Sequence, residues 1–346
     1  MKAALYTALI LMGAALVAMQ PDKTTTIFMI GDSTMANKGG IDKGNKERGW
    51  GMALQSYFDD NIVIDNHAVN GRSTLSFINE GRWDKVKAKM KPGDLVIIQF
   101  GHNDEKPNAD RHTVPGSTFD YNLAKFVRET RELGGVPVLM NCVVRRRWVP
   151  ASLVAAAAAA GKNIDDESLR STTATGDVTS DGDSLVFADT HGTYRIAPRD
   201  VAERMHCLYV DANKITEDLE TSLGIEGSRK LHMNFLPGEE PSVPKGRQDN
   251  THYNVHGAQV VARLLADALC HELPLLTRYR VNYDICVDRN GRGDYTSLAD
   301  AIASVPEGKK VSIQILGGQW ERPALTKQQK KNISITLRMG AEFIEQ

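Results

Sequence analysis

The chain has 346 residues, room for about two domains, and its 41% hydrophobic and 25% charged content is ordinary for a globular protein. Its 42 basic and 43 acidic residues leave a formal net charge of -1 at pH 7. This balance excludes the strongly basic field that nucleic-acid binding requires, so nucleic acid is not an expected partner.

The chain begins with a basic and then apolar segment. Lys2 precedes an apolar run that ends at Ala18, and polar residues follow from Gln20 onward. We therefore predict a secretory signal peptide at residues 1–20 and a periplasmic or extracellular mature protein. A buried N-terminal helix is the alternative. The run is too short for the roughly 20 apolar residues that span a bilayer, so no stable membrane insertion is expected.

Short apolar runs and helix-like apolar spacings then alternate along the chain. The predicted buried strands are residues 26–30, 62–67, 95–100, 136–144 and 208–211. The predicted helices are residues 52–58, 83–90, 121–133, 198–204 and 255–269. This alternation indicates an α/β fold in which helices cover both faces of a parallel sheet. In such folds the functional groups gather beyond the carboxyl ends of the strands.

Residues 151–184 interrupt this alternation. Six consecutive alanines, residues 155–160, lead into a stretch rich in Ser, Thr, Asp and Gly. This composition predicts a short helix followed by a mobile insertion, because little apolar surface is available to bury. A lid over the site is the alternative interpretation.

The four cysteines are widely separated. Cys142, Cys207, Cys270 and Cys286 lack the close pairing that marks a zinc site in a sequence. Because Cys142 and Cys207 each lie in an apolar run, we predict buried free thiols for these two.

Polar motifs follow three successive predicted strands. Gly31-Asp32-Ser33 places Ser33 on a turn at the end of the first strand, where the hydroxyl can meet a substrate. Gly71 follows the second strand and can present its backbone amide, while Asn103 follows the third and can offer its side-chain amide. Taken singly, these motifs also suit a turn with a helix cap or an Asn that bonds a loop. Their common edge predicts an acyl-transfer site with Ser33 as nucleophile.

Asp249-Asn250-Thr251-His252 precedes the last predicted helix and completes this pattern. A serine hydroxyl needs a base within hydrogen-bond reach and a third group that orients the base. We predict His252 as the base and Asp249 as its orienting acid. His256 is the competing base, but Asp249 pairs more naturally with the nearer imidazole.

These four blocks resemble the SGNH hydrolases, also called GDSL esterases. The segments between them resemble the rhamnogalacturonan acetylesterases of the twelfth carbohydrate esterase family, at Glu47-Arg48-Gly49-Trp50-Gly51, Gly71-Arg72-Ser73-Thr74, Gly81-Arg82-Trp83, Gly93-Asp94, Val143-Val144-Arg145-Arg146 and Asp189-Thr190-His191-Gly192. The resemblance implies a three-layer fold around a five-stranded parallel sheet of flavodoxin type. It also implies an oxyanion hole formed by the amides of Ser33 and Gly71 and the side chain of Asn103, and no metal or organic cofactor.

The C-terminal segment has a different character. Its run from Val287 to Pro306 and the alternating stretches at residues 311–315 and 333–337 resemble the start of a pectin methylesterase, a right-handed parallel β-helix. We therefore predict an acetylesterase domain at residues 21–275 and an incomplete pectinesterase-like fragment at residues 284–346. An appended strand pair with a helix is the simpler alternative.

The combined prediction is a serine acetylesterase that acts on acetylated plant cell-wall polysaccharide, with pectin as the partner. The alternatives are a GDSL lipase or esterase on small or lipid esters, and a catalytically idle carbohydrate-binding protein. Trp50, Trp83 and Trp148 are candidate sugar platforms or core residues, and Arg146 is a candidate for steering acidic galacturonate or for a surface salt bridge. The oligomeric state is not predicted.

Overall fold

The computed structural model describes residues 24–161 and 184–345. The predicted signal peptide and residues 162–183 of the predicted insertion lie outside the described residues. Within the described ranges, no helix combines the length and apolar character needed to cross a bilayer.

The described residues form an α/β body followed by smaller sheets. The strands are β1 (Thr25–Gly31), β2 (Glu47–Arg48), β3 (Ile62–Asn66), β4 (Leu95–Gln99), β5 (Val136–Met140), β6 (Trp148–Pro150), β7 (Leu185–Phe187), β8 (Leu208–Val210), β9 (Tyr253–Asn254), β10 (Ile285–Val287), β11 (Val311–Leu316), β12 (Gln319–Glu321), β13 (Ile333–Arg338) and β14 (Glu342–Ile344). The α-helices are α1 (Trp50–Ala53), α2 (Thr74–Asn79), α3 (Arg82–Lys87), α4 (Thr118–Glu132), α5 (Ala151–Ala159), α6 (Thr193–Met205), α7 (Ala212–Arg229), α8 (Val255–Glu272), α9 (Leu298–Ala303) and α10 (Gln329–Asn332). Short 3-10 helices cover Ile41–Lys43, Leu54–Tyr57 and Pro274–Tyr279.

The central sheet has five strands in the order β3-β1-β4-β5-β8. Every neighbouring pair is parallel, with Ile27 opposite both Ile64 and Leu95 in the register of β1. Numbered along the chain, these strands stand in the order 2-1-3-4-5 of flavodoxin-type sheets. The predicted five-stranded parallel sheet is therefore confirmed.

Both faces of the sheet are apolar, which explains why helices cover both. Along β1 and β4 successive side chains alternate between two separate cores. One face carries Ile27, Met29, Leu95 and Ile97 and packs against α1 and α8. The opposite face carries Phe28, Ile30, Val96 and Ile98 and packs with side chains of α2, α3, α4 and α6. Trp50 and Trp83 are buried in these two cores, so they are core residues and not sugar platforms.

Some predicted boundaries are wrong. The strand predicted at residues 136–144 ends at Met140, because both of its neighbours, β4 and β8, end opposite that residue. The next residue, Asn141, turns the chain away by donating to Asp211 Oδ1 (2.8 Å) and the Arg195 carbonyl (3.1 Å). The helix predicted at residues 52–58 is instead the short α1 followed by a 3-10 turn.

The end of the chain forms a C-terminal unit, defined here as residues 284–345. It contains a three-stranded parallel sheet, β10-β11-β13, and a two-stranded parallel sheet, β12-β14. Val287, Ile313, Ile315 and Trp320 belong to an apolar cluster of its own. These small sheets do not confirm the predicted β-helix, since a stacked-repeat fold needs about three repeats. The domain boundaries remain a prediction.

The described cysteines are all free thiols. Cys142 and Cys286 are buried, while Cys207 and Cys270 are half-buried. Burial raises the pKa of the Cys207 thiol to about 12 and holds the pKa of the Cys142 thiol well above its usual range. The predicted free thiols at Cys142 and Cys207 are confirmed, although Cys207 is not fully buried.

Candidate active site

Three loops meet at the carboxyl edge of the sheet because β3, β1 and β4 are neighbours. Ser33 lies in the turn after β1, Gly71 in the loop after β3, and Asn103 in the loop after β4. The loop after β3 is tied to β1 by the Val69 N–H, which donates to the Gly31 carbonyl at 3.0 Å. Parallel pairing thus collects residues that lie as much as 70 positions apart in the sequence.

A continuous series of hydrogen bonds links Ser33, His252 and Asp249. His252 Nε2 lies 2.9 Å from Ser33 Oγ, and His252 Nδ1 lies 2.9 Å from Asp249 Oδ2. An ionised carboxylate only accepts, so Nδ1 donates to Asp249 and Nε2 is left to accept the Ser33 proton. This geometry can activate a serine hydroxyl for attack.

The Asp249 carboxylate is held in its charged form. Burial alone raises its pKa, but the hydrogen bond and charge of His252 outweigh burial, together with the Thr251 and His252 backbone N–H groups. Both N–H groups donate to Asp249 Oδ1 at 3.0 Å. The net result is a pKa well below the usual range of an aspartate.

His256, the alternative base, is exposed in the first turn of α8. Within the described residues no hydrogen bond joins its ring to Ser33 or to Asp249. The structure therefore brings His252, and not His256, to the serine.

A hydrogen bond links the loops that carry two of the predicted oxyanion donors, Gly71 and Asn103. Gly71 has φ 76°, a left-handed conformation that glycine adopts without strain, and Asn103 Nδ2 donates to the Arg72 carbonyl at 3.2 Å. Across residues 24–161 and 184–345, the backbone N–H groups of Ser33 and Gly71 have no hydrogen-bond acceptor. These N–H groups can therefore serve an incoming oxygen atom.

We expect Asn103→Ala to lower kcat for ester hydrolysis by roughly a hundred- to a thousand-fold, with a smaller change in KM, because an oxyanion donor acts mainly in the transition state. Steady-state kinetics on a small acetyl ester measure both constants. Asn108→Ala, in the nearby loop, is the control. A rise in KM at constant kcat would show that Asn103 binds the ground state instead.

Asp104 holds the loop that contains Gly71 through side-chain hydrogen bonds. Its carboxylate accepts from the Thr74 N–H (3.0 Å) and the Thr113 hydroxyl (2.8 Å), and it also accepts from the Thr74 hydroxyl. Ser73 caps the same helix, α2, with a complete capping box. Complete burial outweighs these hydrogen bonds and raises the pKa of Asp104 to about 7.

Asp104→Asn should become more stable relative to the unchanged chain as pH rises from about 4 to about 8. With a folded pKa of about 7 and an unfolded value of about 4, the folded state binds more protons in this window, so its stability falls as pH rises. Asn does not ionise and escapes this loss. Urea unfolding of both chains at pH 4.5 and 7.5 measures the difference, and a constant difference would contradict the raised pKa.

Sequence reasoning missed three charged residues around the site. Arg247 Nη2 donates to Asp249 Oδ2 at 2.7 Å and to Glu47 Oε2 at 2.8 Å. Lys38 Nζ contacts Glu47 Oε1 at 3.0 Å and donates to the Ser33 carbonyl (2.6 Å). Its side chain is 3% exposed, and burial lowers the pKa of the ammonium although Glu47 opposes this. These three charged residues therefore connect the turn that contains Ser33 to the carboxylate of Asp249.

Ligand atoms of Glu47, Asp249 and His252 lie within 4.8 Å of one another, close enough to hold a metal ion. Both carboxylates are already neutralised by Arg247 and Lys38, and His252 Nδ1 is directed at Asp249. The donor set therefore fits an ion-pair network better than a metal centre.

Arg146 is buried, and its described contacts are with other segments of the chain. It is 2% exposed and donates to the Ile225 carbonyl (2.7 Å) and Ser228 Oγ (3.0 Å). Trp148 is half-buried and donates to the same Ser228 hydroxyl at 3.1 Å. Both residues brace the segment that leads away from β5.

Comparisons with known proteins agree on the family. The model of the GDSL-like lipase/acylhydrolase family matches residues 29–260. The rhamnogalacturonan acetylesterase RhgT of Bacillus subtilis is 32% identical over 247 residues, which cover 71% of this chain and 90% of that protein. The probable rhamnogalacturonan acetylesterase YesY of the same organism is 26% identical over 247 residues, covering 70% and 91%. The crystal structure of Bacillus subtilis YxiM superposes with a TM-score of 0.53 at 25% identity, over 73% of this chain and 58% of that one.

Proposed function

Because the chain belongs to the GDSL-like lipase/acylhydrolase family, we propose that it is an exported serine esterase that removes acetyl groups from pectin. The chain is a hydrolase of carboxylic esters, as its named relatives are. The observation that carries the proposal is the hydrogen-bonded series of Ser33, His252 and Asp249 at the carboxyl edge of the sheet.

The reaction proceeds by two acyl transfers at Ser33. Its Oγ attacks the acetyl carbonyl carbon while its proton passes to His252 Nε2, and the sugar hydroxyl then leaves with that proton. A water molecule next gives a proton to His252 Nε2 and attacks the acetyl-serine. Acetate leaves as the proton returns to Ser33 Oγ. Asp249 keeps the imidazole oriented and stabilises its charged form.

The tetrahedral intermediates carry their negative charge on the former carbonyl oxygen. The backbone N–H groups of Ser33 and Gly71 and the side-chain amide of Asn103 donate to it. In the free enzyme Asn103 bonds the Arg72 carbonyl, a neutral acceptor that an oxyanion can displace.

Basic residues near the loop that contains Gly71 support the proposal that the substrate is acidic. Partial burial lowers the pKa of Lys106, and the neighbouring charges of Arg145 and Arg111 lower it further. Arg111 Nη1 lies 3.9 Å from the position that a Cβ at Gly71 would occupy. Arg145 pairs with Glu105 at 2.6 Å, and Arg111 pairs with Asp110 at 3.5 Å. Among the described residues Lys106 has no such carboxylate partner, so it is the cation that remains for an acidic substrate. Such a site suits the galacturonate units of pectin, and the relatives named as rhamnogalacturonan acetylesterases point the same way.

The C-terminal unit adds a second argument for pectin. We propose that its sheets are the first coils of a pectin methylesterase-like β-helix, since β11 is followed by β12 and each pairs in parallel with the equivalent strand of the next turn, β13 and β14. A crystal structure of this chain tests the proposal: parallel stacking of β11 on β13 and of β12 on β14 is expected, and any other pairing of these strands would overturn it.

Acetate release from acetylated pectin, acetylated xylan and long-chain esters tests the function. We expect the highest kcat/KM on acetylated pectin, and a preference for the long-chain ester would overturn the proposal.

Lys106→Gln should raise the KM for acetylated pectin several-fold and leave the KM for acetylated xylan unaffected. Lys330→Gln, at an exposed lysine, is the control and should change neither KM.

N-terminal sequencing of the mature protein tests the proposed export. A mature protein that retains Met1–Gln20 would overturn it.

A further inference from the structure

A loop of the C-terminal unit contacts the elements that flank the active site. We call residues 288–293 the clamp loop. Its Gly291 carbonyl accepts from Arg48 Nε at 2.9 Å, and its Arg292 carbonyl accepts from Gln259 Nε2 at 2.7 Å and from Ser56 Oγ at 3.0 Å. We propose that the clamp loop is a positioning element for the Ser33, His252 and Asp249 series. This inference rests on the proposed role of that series.

Arg48 makes the most direct link. It is 5% exposed, and within the described residues its guanidinium has no carboxylate partner. Besides Gly291 it donates to the carbonyls of Asn45 (2.6 Å) and Glu47 (2.9 Å). Burial without a counter-charge lowers the pKa of the guanidinium to about 10, because burying a charged group is unfavourable. Hydrogen bonds to carbonyls are therefore what hold this cation in place.

The clamp loop is built for this close approach. Gly291 has φ 78°, and a Cβ there would lie 2.9 Å from Arg48 Nε. The buried Asp288 carboxylate accepts from the Asn290 N–H at 2.7 Å and pairs with Arg292. The Gly291 N–H donates to the Asp288 carbonyl at 2.9 Å. The loop thus presents its two carbonyl oxygens from a fixed backbone.

The contacts lead directly to the acid of the series. Strand β2 has only two residues, which pair with β9 immediately after His252. Arg48 in β2 donates to the Gly291 carbonyl of the clamp loop. Its neighbour Glu47 accepts from Arg247, which also donates to Asp249. Such a short strand has few backbone hydrogen bonds of its own, so the side-chain contacts of Glu47 and Arg48 position it. Gln259, the second contact, lies in α8, which begins at Val255.

Two variants weaken the clamp from opposite sides. Arg48→Gln removes the guanidinium, and Gly291→Ala pushes it away while leaving the esterase residues unchanged. We expect both to lower kcat on a small acetyl ester by tenfold to a hundredfold with little change in KM, because misplacement by about 1 Å costs this much. Arg48→Lys, which can still donate to the Gly291 carbonyl, should recover part of the loss.

Arg338→Gln is the matched control. Arg338 also joins the C-terminal unit to the main body, through Asp60 and the Phe58 carbonyl, but on elements that do not carry the active site. It should lower the melting temperature and keep kcat within about twofold. The proposal is overturned if Arg48→Gln and Gly291→Ala keep the kcat of the unchanged chain, or if Arg338→Gln lowers kcat as much as they do.

Labelling of the unchanged chain at Ser33 by an organophosphonate distinguishes failure of this proposal from failure of the proposed function. Absence of a label on Ser33 would reject the proposed function itself.

Discussion

Ser33→Ala is expected to lower kcat for acetate release by about six orders of magnitude, the scale seen when a serine nucleophile is removed. The alanine chain cannot form an acetyl-enzyme, and His252 loses the hydroxyl whose proton it accepts at 2.9 Å. The residual rate would come from binding and from the oxyanion donors alone. Acetate release under saturating substrate measures the loss.

The fold should survive this change. Ser33 lies in a turn, and Lys38 bonds its backbone carbonyl, which alanine retains. We expect a melting temperature within a few degrees of the unchanged chain. Ser222→Ala, at an exposed serine of α7, is the control and should keep full activity. A loss of less than tenfold in Ser33→Ala would show that another residue attacks the ester.

Asp249→Asn should lower kcat by about four orders of magnitude near neutral pH. The carboxylate receives His252 Nδ1–H and the guanidinium of Arg247 on the same oxygen, at 2.9 and 2.7 Å. An amide places either a donor or a weak neutral acceptor there, so the imidazole loses both its orientation and the charge that stabilises it. The backbone bonds from Thr251 and His252 can persist, because the other oxygen accepts them.

The comparison for this variant is Asp267→Asn, an exposed aspartate of α8 that pairs with Arg280. It makes the same chemical change without touching the active site, and its kcat should stay within about twofold. Equal activity of the two variants would mean that Asp249 only shapes the turn. A change confined to KM would assign Asp249 to substrate binding.

The sequence predicted those parts of the fold that depend on local pattern. Each strand of the main sheet is an apolar run that ends at a polar turn, so the order of elements and the position of Ser33, Gly71 and Asn103 followed from periodicity. Asp249 and His252 are separated by three positions on one turn, a spacing that keeps them in contact. Parallel pairing then determines which turns meet.

Other features depend on contacts that no local pattern records. Lys38, Glu47 and Arg247 come from three separate segments that tertiary contacts bring together, and the pairing of β2 with β9 places only Glu47. Strands of two residues have no detectable periodicity. The helix Ala212–Arg229 was not predicted, since only its Asp211 cap and a weak apolar stripe mark it. The burial of Arg146 was not predicted, because its described side-chain partners, among them the Ile225 carbonyl, lie at least 79 positions away.

Labelling with an organophosphonate ester mimic tests whether Ser33 is the nucleophile. The reagent reacts with an activated serine hydroxyl, and peptide mapping by mass spectrometry locates it. We expect one label per chain, on Ser33, with acetate release lost in proportion and no labelling of Ser33→Ala. A label on another residue in the inactivated enzyme, or full acetate release from a chain labelled at Ser33, would contradict it.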